Sequence, residues 1–348
     1  MKGKVLVTGG LGFIGSHTVV ELINSGYEPI IVDNLSNSEF FILNRIEAIT
    51  GFKPVFYAFD LCDKAAVHGL FSAHPDCSVV IHFAAFKAVE ESVRLPLKYF
   101  NNNLLSLLNV VGAMKETACN NLLFSSSATV YGDPDTLPVK EEAPFKRSPS
   151  AYGSTKQIGE DIIEKAAGAG NVKSIALRYF NAVGAHPSGL IGELPLGIPN
   201  NLMPFITQAA AGKLQELVLY GNDYNTPDGT CIRDYIHVVD VAKAHVKACE
   251  YLLNDKSNSL FEAFNIGTGN GYSVLEVIQQ FRESTGVKVP YRIGKRRAGD
   301  APANFADVGK AAKILGWTAA FNVDDMIRDS WRWQMALTNK RNPETATA

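Results

Sequence analysis

A glycine-rich turn directly after the first apolar run constrains the fold of this chain more than any other feature. The run Val5-Leu6-Val7 is short and apolar, which is typical of a strand buried on both faces of a parallel sheet. It leads into Thr8-Gly9-Gly10-Leu11-Gly12-Phe13-Ile14-Gly15. Gly9, Gly12 and Gly15 let the backbone turn tightly, approach a pyrophosphate and pack a helix against the strand. The sequence therefore predicts a βαβ unit whose helix starts near Phe13 and faces the phosphates of a dinucleotide.

An acidic residue after the second apolar run indicates which dinucleotide is bound. Ile30-Ile31-Val32 ends in Asp33, 18 residues after Gly15. A carboxylate at this place accepts a hydrogen bond from a ribose 2′-hydroxyl and repels a 2′-phosphate, so the pattern favours NAD over NADP. A plain βαβ unit without a ligand is the alternative interpretation of the same residues.

Apolar runs alternate with helical patterns along the first half of the chain. The strand-like runs are 5–7, 30–32, 55–59, 79–83, 122–124 and 175–177. This alternation predicts an α/β fold of the Rossmann type, with a doubly wound parallel sheet. Ligands of such sheets bind beyond the carboxyl ends of the strands, so Asp33, Asp60 and the segments 84–87 and 125–127 should meet in one crevice.

The amino-acid composition of the chain changes after residue 181. Residues 187–203 are rich in Gly, Pro and Asn, which indicates a loop-rich region on the substrate side. Beyond it we expect short strands at 217–220 and 264–266 and helices at 274–281 and 326–333. The predicted organisation is an NAD-binding domain (1–181), a smaller substrate domain (182–338) with room for segments that return to the first domain, and a polar tail (339–348).

Length and composition exclude several classes of protein. The chain has 348 residues, of which 46% are hydrophobic and 20% charged, as in ordinary globular proteins. Its formal net charge of −2, with acids and bases interspersed, argues against nucleic acid and anionic membranes as partners. Five scattered cysteines predict free thiols, and seven histidines without metal-ligand spacing predict no metal site. The first strand starts within five residues of Met1 and no apolar run reaches the length of a membrane span, so we expect a cytoplasmic protein.

Two residues one helical turn apart predict a base beside the dinucleotide. Tyr152 and Lys156 are spaced i, i+4 in a segment with a helical apolar pattern, so both lie on one face. A lysine ammonium beside a phenol favours the phenolate, and lowering the pKa of a tyrosine from about 10 to about 7 takes roughly 4 kcal/mol. Alone, such a pair is usually a solvated helix face. Beside a dinucleotide fold it indicates acid–base catalysis.

Three consecutive serines, Ser125-Ser126-Ser127, follow the apolar run 122–124. The serine run ends where a polar loop should emerge over the crevice, and there one hydroxyl would hydrogen-bond a substrate alcohol and relay its proton to Tyr152. The alternative interpretation is a serine-rich turn that caps a strand.

Six motifs, taken together, carry a resemblance to a known family. They are residues 8–15, 125–132, 152–156 and 178–184, Asn200-Asn201-Leu202-Met203-Pro204, and Arg233-Asp234-Tyr235-Ile236-His237. They resemble the UDP-galactose (UDP-glucose) 4-epimerases, a family of extended short-chain dehydrogenases/reductases, from the N-terminus to about Trp333. The resemblance implies an isomerase with tightly bound NAD that inverts C4 of a UDP-hexose through a 4-keto sugar. It also implies a homodimer, for which residues 104–111 are either an interface or a core helix.

The resemblance also assigns contacts residue by residue. Besides Gly9, Gly12 and Gly15, the implied cofactor contacts are Phe13, Ile14, Asp33, Asn34, Leu35, Ser36, Asn37, Ser38, Asp60, Leu61, Phe83, Ala84, Ala85, Phe86, Lys87, Asn102, Ser127, Tyr152, Lys156 and Phe180. The implied UDP-sugar contacts are Ser127, Tyr152, Asn181, Asn201, Leu202, Tyr220, Arg233, Arg297 and Asp300. The implied catalytic residues are Ser127, Tyr152 and Lys156. The two arginines suit bidentate binding of a pyrophosphate, and Tyr220 offers a flat flank for uracil.

One position departs from part of the family. Near Asn304, some members carry a bulky aromatic residue that crowds the 2-substituent of the sugar, and others carry a small residue that admits an N-acetyl group. Asn304 is closer to the small type, so we expect it to contact the substrate and to permit activity on UDP-N-acetylated sugars.

Other functions fit parts of the same sequence. A nucleotide-sugar 4,6-dehydratase shares the fold, but that subgroup resembles Thr-Asp-Glu where this chain has Ser127-Ala128-Thr129, so the proton carriers for loss of water are missing. A UDP-glucuronate 4-epimerase or decarboxylase is separable by substrate trials. A non-catalytic NAD-sensing regulator usually lacks the tyrosine base, which is present here as Tyr152.

Overall fold

A seven-stranded parallel sheet organises the molecule. The computed structural model describes residues 2–170, 172–254, 259–297 and 300–341, with side chains up to residue 338. The strand order is β11-β6-β5-β4-β1-β2-β3. These strands are β1 (Lys4–Thr8), β2 (Glu28–Val32), β3 (Val55–Tyr57), β4 (Cys77–His82), β5 (Asn121–Ser127), β6 (Lys173–Tyr179) and β11 (Phe261–Ile266). The predicted α/β class with a doubly wound parallel sheet is confirmed.

Side chains alternate along each strand and build one core on each face of the sheet. Val5 and Val7 pack on one face with α1 (Phe13–Asn24), α2 (Phe41–Thr50) and α8 (Val238–Leu253). Leu6 packs on the other face with α3 (Lys64–Ala73), α5 (Pro96–Lys115) and α6 (Ala151–Gly168). Burying each such side chain contributes about 1.5–3 kcal/mol. Burial on both faces explains why β1 is a continuous apolar run.

Two segments beyond residue 181 belong to this central arrangement. β11 pairs in parallel with β6, from Phe261 opposite Ser174 to Ile266 opposite Tyr179. α8 packs along α1. The strand that the sequence predicts at 264–266 is therefore the seventh strand of the main sheet.

The other elements form small sheets and helices around a third core. The additional strands are β7 (Asn181–Val183), β8 (Leu217–Tyr220), β9 (Ile232–Arg233), β10 (Tyr235–His237), β12 (Tyr272–Ser273), β13 (Tyr291–Gly294) and β14 (Ala303–Asn304). The additional helices are α4 (Val89–Arg94), α7 (Leu202–Ala210), α9 (Val274–Thr285), α10 (Gly309–Leu315) and α11 (Val323–Arg341). The third core contains Met203 of α7, Leu217 of β8, Phe281 of α9 and Met326 of α11, whereas α10 packs into the core beside α8. Residues 342–348 of the predicted polar tail lie outside the described residues.

The three serines after residue 124 do not lie in a loop. β5 runs through Ser127, and Ser125 and Ser127 pair with Leu177 and Tyr179 of β6. The strand therefore extends three residues beyond the predicted apolar run 122–124, because the backbone ladder to β6 continues past the last apolar side chain. A short 3-10 turn (Ala128–Tyr131) follows the strand.

The described residues can be compared with the sequence predictions on membrane spans, metal sites, cysteines and His82. No helix in the described ranges is long and apolar enough to cross a membrane. No cluster of three or more His, Cys, Asp and Glu side chains that could hold a metal occurs among the described residues. All five cysteines are free thiols. His82 is a core residue whose Nδ1 hydrogen-bonds Thr8 Oγ1 at 3.0 Å.

Candidate active site

The glycine turn between β1 and α1 leaves backbone amides uncovered at a helix N-terminus. The amide of Gly12 donates to the carbonyl oxygen of Gly9 at 3.1 Å, and α1 starts at Phe13 without a side-chain cap. A Cβ at Gly15 would lie 2.3 Å from that Gly9 oxygen, and one at Gly9 would lie 2.9 Å from the amide nitrogen of Ala84. Only glycine fits at these two positions, so the turn closes tightly and its amides face the crevice.

The Asp33 carboxylate organises the loop after β2. Its oxygens accept hydrogen bonds from the amide of Leu11 at 3.1 Å, the amide of Leu35 at 2.9 Å and the hydroxyl of Ser38 at 2.8 Å. Leu35 has a φ of 59°, and the hydrogen bond from its backbone amide to the Asp33 carboxylate helps to hold this left-handed conformation. A carboxylate offers about four acceptor positions, so Asp33 retains capacity for a ligand hydroxyl.

A cavity opens beside this turn and loop. Most of the predicted cofactor contacts line it: Gly9, Gly12, Phe13, Ile14, Gly15, Asp33, Asn34, Ser36, Asn37, Ser38, Asp60, Leu61, Phe83, Ala84, Ala85, Phe86, Lys87, Asn102, Tyr152 and Lys156. Leu35, Ser127 and Phe180 are not among its lining residues.

Ser125 lines the cavity, as expected of the segment 125–127. Four lining residues were not predicted from the sequence: Val32, Phe59, Ser106 and Tyr179. Each sits inside or directly beside a strand or helix pattern that reads as core, so the sequence carries no separate signal for them. Asn103 was also missed. Its side-chain oxygen accepts a hydrogen bond from the amide of Phe86 at 2.8 Å, and its side-chain nitrogen donates to the carbonyl oxygen of Phe86 at 3.1 Å and to the Thr155 hydroxyl at 3.1 Å. These hydrogen bonds connect α5 and α6 to the cavity wall.

Tyr152 and Lys156 project from the first turns of α6 into this cavity. Ser150 caps the helix by accepting a hydrogen bond from the amide of Gly153 at 3.1 Å. Lys156 Nζ donates to the carbonyl oxygen of Ser125 at 2.5 Å and lies 5.8 Å from the centroid of the Tyr152 ring. The structure thus places the phenol, the ammonium and the end of β5 side by side.

Burial works against charge on both side chains. It raises the pKa of Tyr152, although a hydrogen bond with the Ser127 hydroxyl acts in the opposite direction. Burial also lowers the pKa of Lys156 to about 7, opposed by the carboxylate of Glu160. The expectation that Lys156 lowers the pKa of Tyr152 below its usual value is not met by the protein atoms alone.

A second cavity adjoins the first, and both share Gly12, Phe13, Phe86 and Lys87. Three predicted UDP-sugar contacts line it: Asn201, Tyr220 and Arg297. The guanidinium carbon of Arg297 lies 4.0 Å from the centroid of the Tyr220 ring. This stacked pair fixes a planar cation at the cavity wall.

Glu193 joins the two cavities. Its Oε1 accepts hydrogen bonds from Lys87 Nζ at 2.9 Å and from Asn201 Nδ2 at 2.6 Å. Lys87 follows β4 and Asn201 precedes α7, so this carboxylate connects the dinucleotide crevice to the loop-rich region.

Tyr152 lines the first cavity, and the remaining predicted UDP-sugar contacts lie outside the lining of both cavities. Arg233 ends β9 and pairs with Asp300 at 3.4 Å. Asn304 stands beside Arg233 in the parallel pairing of β14 with β9, and its buried Oδ1 has no hydrogen-bond partner among the described residues. Asn181 begins β7 and Leu202 begins α7.

The first cavity fits a dinucleotide on its own geometry. Side-chain-free glycines border the helix N-terminus, as pyrophosphate binding requires. Asp33 is positioned at the end of β2, where a ribose hydroxyl would bind. Both features line the same cavity, as the pyrophosphate and ribose of one dinucleotide require.

Comparisons with known proteins agree with this geometry. A sequence model of the GDP-mannose 4,6 dehydratase family matches residues 6–330. The UDP-glucose 4-epimerase of Bacillus subtilis is 52% identical over 336 residues, which cover 96% of this chain and 98% of that protein. The chain belongs to the UDP-glucose 4-epimerase family.

Solved structures of this epimerase family have the same fold. The enzyme from Stenotrophomonas maltophila, with bound NAD and formylated UDP-arabinopyranose, is 47% identical with a TM-score of 0.93, covering 97% of this chain and 99% of that chain. The enzyme from Bifidobacterium longum, in complex with NAD+ and UDP, is 46% identical with a TM-score of 0.92 and the same coverage. Close members of the epimerase family are therefore NAD-bound proteins with this architecture.

Membership of the epimerase family also bears on the dehydratase alternative. Ala128 and Thr129 begin the 3-10 turn after β5, at the place where a dehydratase pattern has carboxylates. Neither side chain can carry the proton that loss of water requires.

Proposed function

We propose that the protein inverts C4 of a UDP-hexose and so interconverts UDP-galactose and UDP-glucose. The observation that carries this proposal is the convergence of Tyr152 and Lys156 in a dinucleotide cavity that continues into a cavity lined by Asn201, Tyr220 and Arg297. A dinucleotide and a nucleotide sugar can therefore meet at the phenol.

The first cavity holds NAD. The amides at the N-terminus of α1 bind its pyrophosphate, and Asp33 accepts a hydrogen bond from a ribose hydroxyl. Bound NAD supplies a reversible hydride acceptor for C4 of the sugar, so the reaction is redox-neutral and the cofactor stays in place.

Three side chains move and hold the proton. The Tyr152 oxygen, as phenolate, accepts the proton of the sugar 4-hydroxyl, directly or through the Ser127 hydroxyl that hydrogen-bonds it. Lys156, anchored on the Ser125 carbonyl, places its ammonium beside the phenol ring and stabilises the phenolate. After the 4-keto sugar has rotated to present its other face, the Tyr152 phenol returns the proton to the new 4-hydroxyl.

The loop-rich part of the chain holds the UDP moiety while the sugar turns. Arg297 and Arg233 bind the pyrophosphate, and Tyr220 flanks the uracil. Asn181, Asn201, Leu202 and Asp300 complete this set. We propose that residues 1–181 mainly bind NAD and that residues 182–338 mainly bind the UDP-sugar.

An isotope label tests this chemistry against its alternatives. UDP-galactose with deuterium at C4 should give UDP-glucose that keeps the deuterium at C4, because the hydride returns to the carbon it left. Deuterium at C6 with loss of water would instead identify a 4,6-dehydratase. Release of carbon dioxide from UDP-glucuronate would identify a decarboxylase.

Asn304 favours a second substrate class. Its side chain is short, and its buried Oδ1 has no hydrogen-bond partner in the described part of the chain, so it can accept a hydrogen bond from an N-acetyl amide. We expect turnover of UDP-N-acetylglucosamine, and Asn304→Tyr should abolish that activity while leaving UDP-galactose turnover largely intact. Equal loss of both activities would contradict this assignment.

We also propose a homodimer. Large apolar side chains on α4, α5 and α6 are exposed to solvent, namely Val93 (59%), Leu97 (79%), Leu108 (50%) and Ile158 (40%). Within the predicted run 104–111, Leu107 and Val110 lie in the core and Leu108 points outward. The α5 and α6 helices pack against each other, so their exposed apolar side chains offer one face for a second copy.

The free thiols of all five cysteines support a reducing, cytoplasmic location.

A further inference from the structure

A buried ion pair behind the catalytic helix has no part in the function described above. Arg178 opens the 178–184 motif, of which only Phe180 and Asn181 are assigned ligand contacts. Its Nε reaches both carboxylate oxygens of Glu160 at 3.0 and 3.2 Å, and its Nη2 reaches Oε2 at 2.6 Å. Glu160 is 3% exposed and Arg178 is 5% exposed, so the pair is removed from water.

Glu160 continues the catalytic face of α6. It lies four residues after Lys156 and eight after Tyr152, so the three side chains share one face of the helix. Each is held by a different serine of β5. The Ser125 carbonyl accepts from Lys156, the Ser126 hydroxyl donates to Glu160, and the Ser127 hydroxyl bonds Tyr152.

The Arg178 guanidinium is also held by hydrogen bonds on the side that does not contact Glu160. Its Nη1 donates to the Tyr131 hydroxyl and to the Glu141 carbonyl, each at 2.9 Å. Tyr131 in turn donates to Asn265 Oδ1 at 2.6 Å, which connects the network to β11. Glu160 therefore cannot swing away from α6, and its charge stays at a fixed place relative to Lys156.

Glu160 is the one negative charge that faces Lys156 among the described residues. The other titratable groups around the ammonium are Tyr152 on α6, His82 on β4 and Tyr179 on β6. Burial lowers the pKa of His82 to about 3 and raises that of Tyr179, so both are neutral at physiological pH. Burial alone drives Lys156 toward its neutral form, and the Glu160 carboxylate opposes this.

A buried carboxylate–guanidinium pair contributes little net folding stability. The cost of removing both charges from water often equals or exceeds their attraction, and apolar residues of similar volume serve as well. An ion pair kept four residues from a catalytic lysine therefore points to a role in the chemistry.

We propose that Glu160, fixed by Arg178 and Ser126, is a positioning residue that keeps Lys156 in its ammonium form beside Tyr152. The inference rests on the proposed function for the importance of that ammonium, but it concerns a proton equilibrium that exists without turnover.

The test is a titration of Tyr152 in the NAD-bound protein. The ultraviolet difference between each protein and its Tyr152→Phe counterpart reports the phenolate. In Glu160→Gln, which keeps the size and loses the charge, the midpoint of phenolate formation should rise by about 1 pH unit or more, because Lys156 gives up its proton. Ser126→Ala removes a tether but keeps the charge, so its midpoint should match that of the parent.

The sign of the shift separates this role from the alternatives. Loss of a negative charge acting directly on Tyr152 would lower the midpoint, and a merely structural role would leave it unmoved. Either result overturns the proposal, as does a Ser126→Ala shift as large as that of Glu160→Gln. If Glu160→Gln does not fold, the double variant Glu160→Gln/Arg178→Gln leaves no unpaired charge and should also titrate above the parent. A parental midpoint there contradicts the proposal.

The titration and the epimerase assay fail independently. A raised midpoint in a protein that converts no UDP-galactose would remove the proposed function and leave the inference standing. Conversion with an unmoved midpoint would do the reverse.

Discussion

In the proposed mechanism, Tyr152, Ser127 and Lys156 carry the proton chemistry, and burial disfavours the charged forms of Tyr152 and Lys156. Burial raises the pKa of Tyr152 and lowers that of Lys156 to about 7. The Glu160 carboxylate opposes the effect of burial on Lys156, and the Ser127 hydroxyl opposes the effect of burial on Tyr152.

Buried histidines predict a loss of stability in mild acid. Burial lowers the pKa of His17 and His82 to about 3 and that of His245 to about 4. The unfolded chain binds these protons near pH 6.5 and the folded chain does not, so stability falls as the pH falls below about 6.5. The three residues together cost about 4 kcal/mol per pH unit between roughly pH 6 and pH 4.

Urea unfolding at a series of pH values measures this effect. Replacing His82 by Gln should reduce the slope of unfolding free energy against pH by about 1.4 kcal/mol per pH unit, since one buried titrating group is gone. An unchanged slope in that variant would show that the acid sensitivity arises elsewhere.

The β1–α1 turn is the element on which cofactor binding depends most directly. A methyl group at Gly15 would lie 2.3 Å from the carbonyl oxygen of Gly9, and backbone cannot yield as a flexible side chain does. Gly15→Ala should therefore open the turn, so that the protein is purified with little or no NAD and unfolds more easily. Release of NAD on denaturation and a thermal melt measure both effects.

Gly69 supplies the matched control. It lies inside α3, and a methyl group there would meet no atom within 4 Å, so Gly69→Ala should stabilise the fold by about 0.5–1 kcal/mol without altering NAD content. Full NAD occupancy in Gly15→Ala would show that the turn tolerates a side chain and would contradict this account.

Elements with a strong local pattern were predictable, and their edges were not. β1 was predicted from the run Val5-Leu6-Val7, because a strand buried on both sheet faces is apolar throughout. α1 was predicted to start near Phe13, because the glycine spacing is compatible with few other structures. The extension of β5 through Ser125 to Ser127 was not predicted, because a strand can continue through polar residues when its neighbour supplies the ladder. Apolar periodicity does not report backbone pairing.

At the scale of the whole molecule, the candidate site is assembled from distant parts of the sequence. Glu193 in the loop-rich region bonds Lys87 after β4, and β11 completes the sheet next to β6. Motifs predicted most of the residues around the first cavity, but Tyr179 and Asn103 were invisible because their types and positions are those of ordinary core residues. Long-range packing, which single-sequence patterns do not encode, decides such cases.

The exposed apolar face of α4, α5 and α6 predicts the state of assembly. Leu97→Glu combined with Leu108→Glu should convert a dimer to a monomer, because burying two carboxylates at an interface costs more than the contact gains. Light scattering after gel filtration gives the mass. Ile314→Glu, on the exposed surface of α10, should leave the mass unchanged. A dimer that survives the double substitution would place the interface elsewhere.

We propose that this chain inverts C4 of a UDP-hexose with an NAD that it already holds. Incubation of the purified protein with UDP-galactose, without added NAD, followed by separation of the nucleotide sugars, tests this proposal. We predict that UDP-glucose forms, and that Tyr152→Phe, with its NAD retained, converts substrate roughly 10²–10⁴ times more slowly. Absence of UDP-glucose, even after NAD is supplied, would contradict the account.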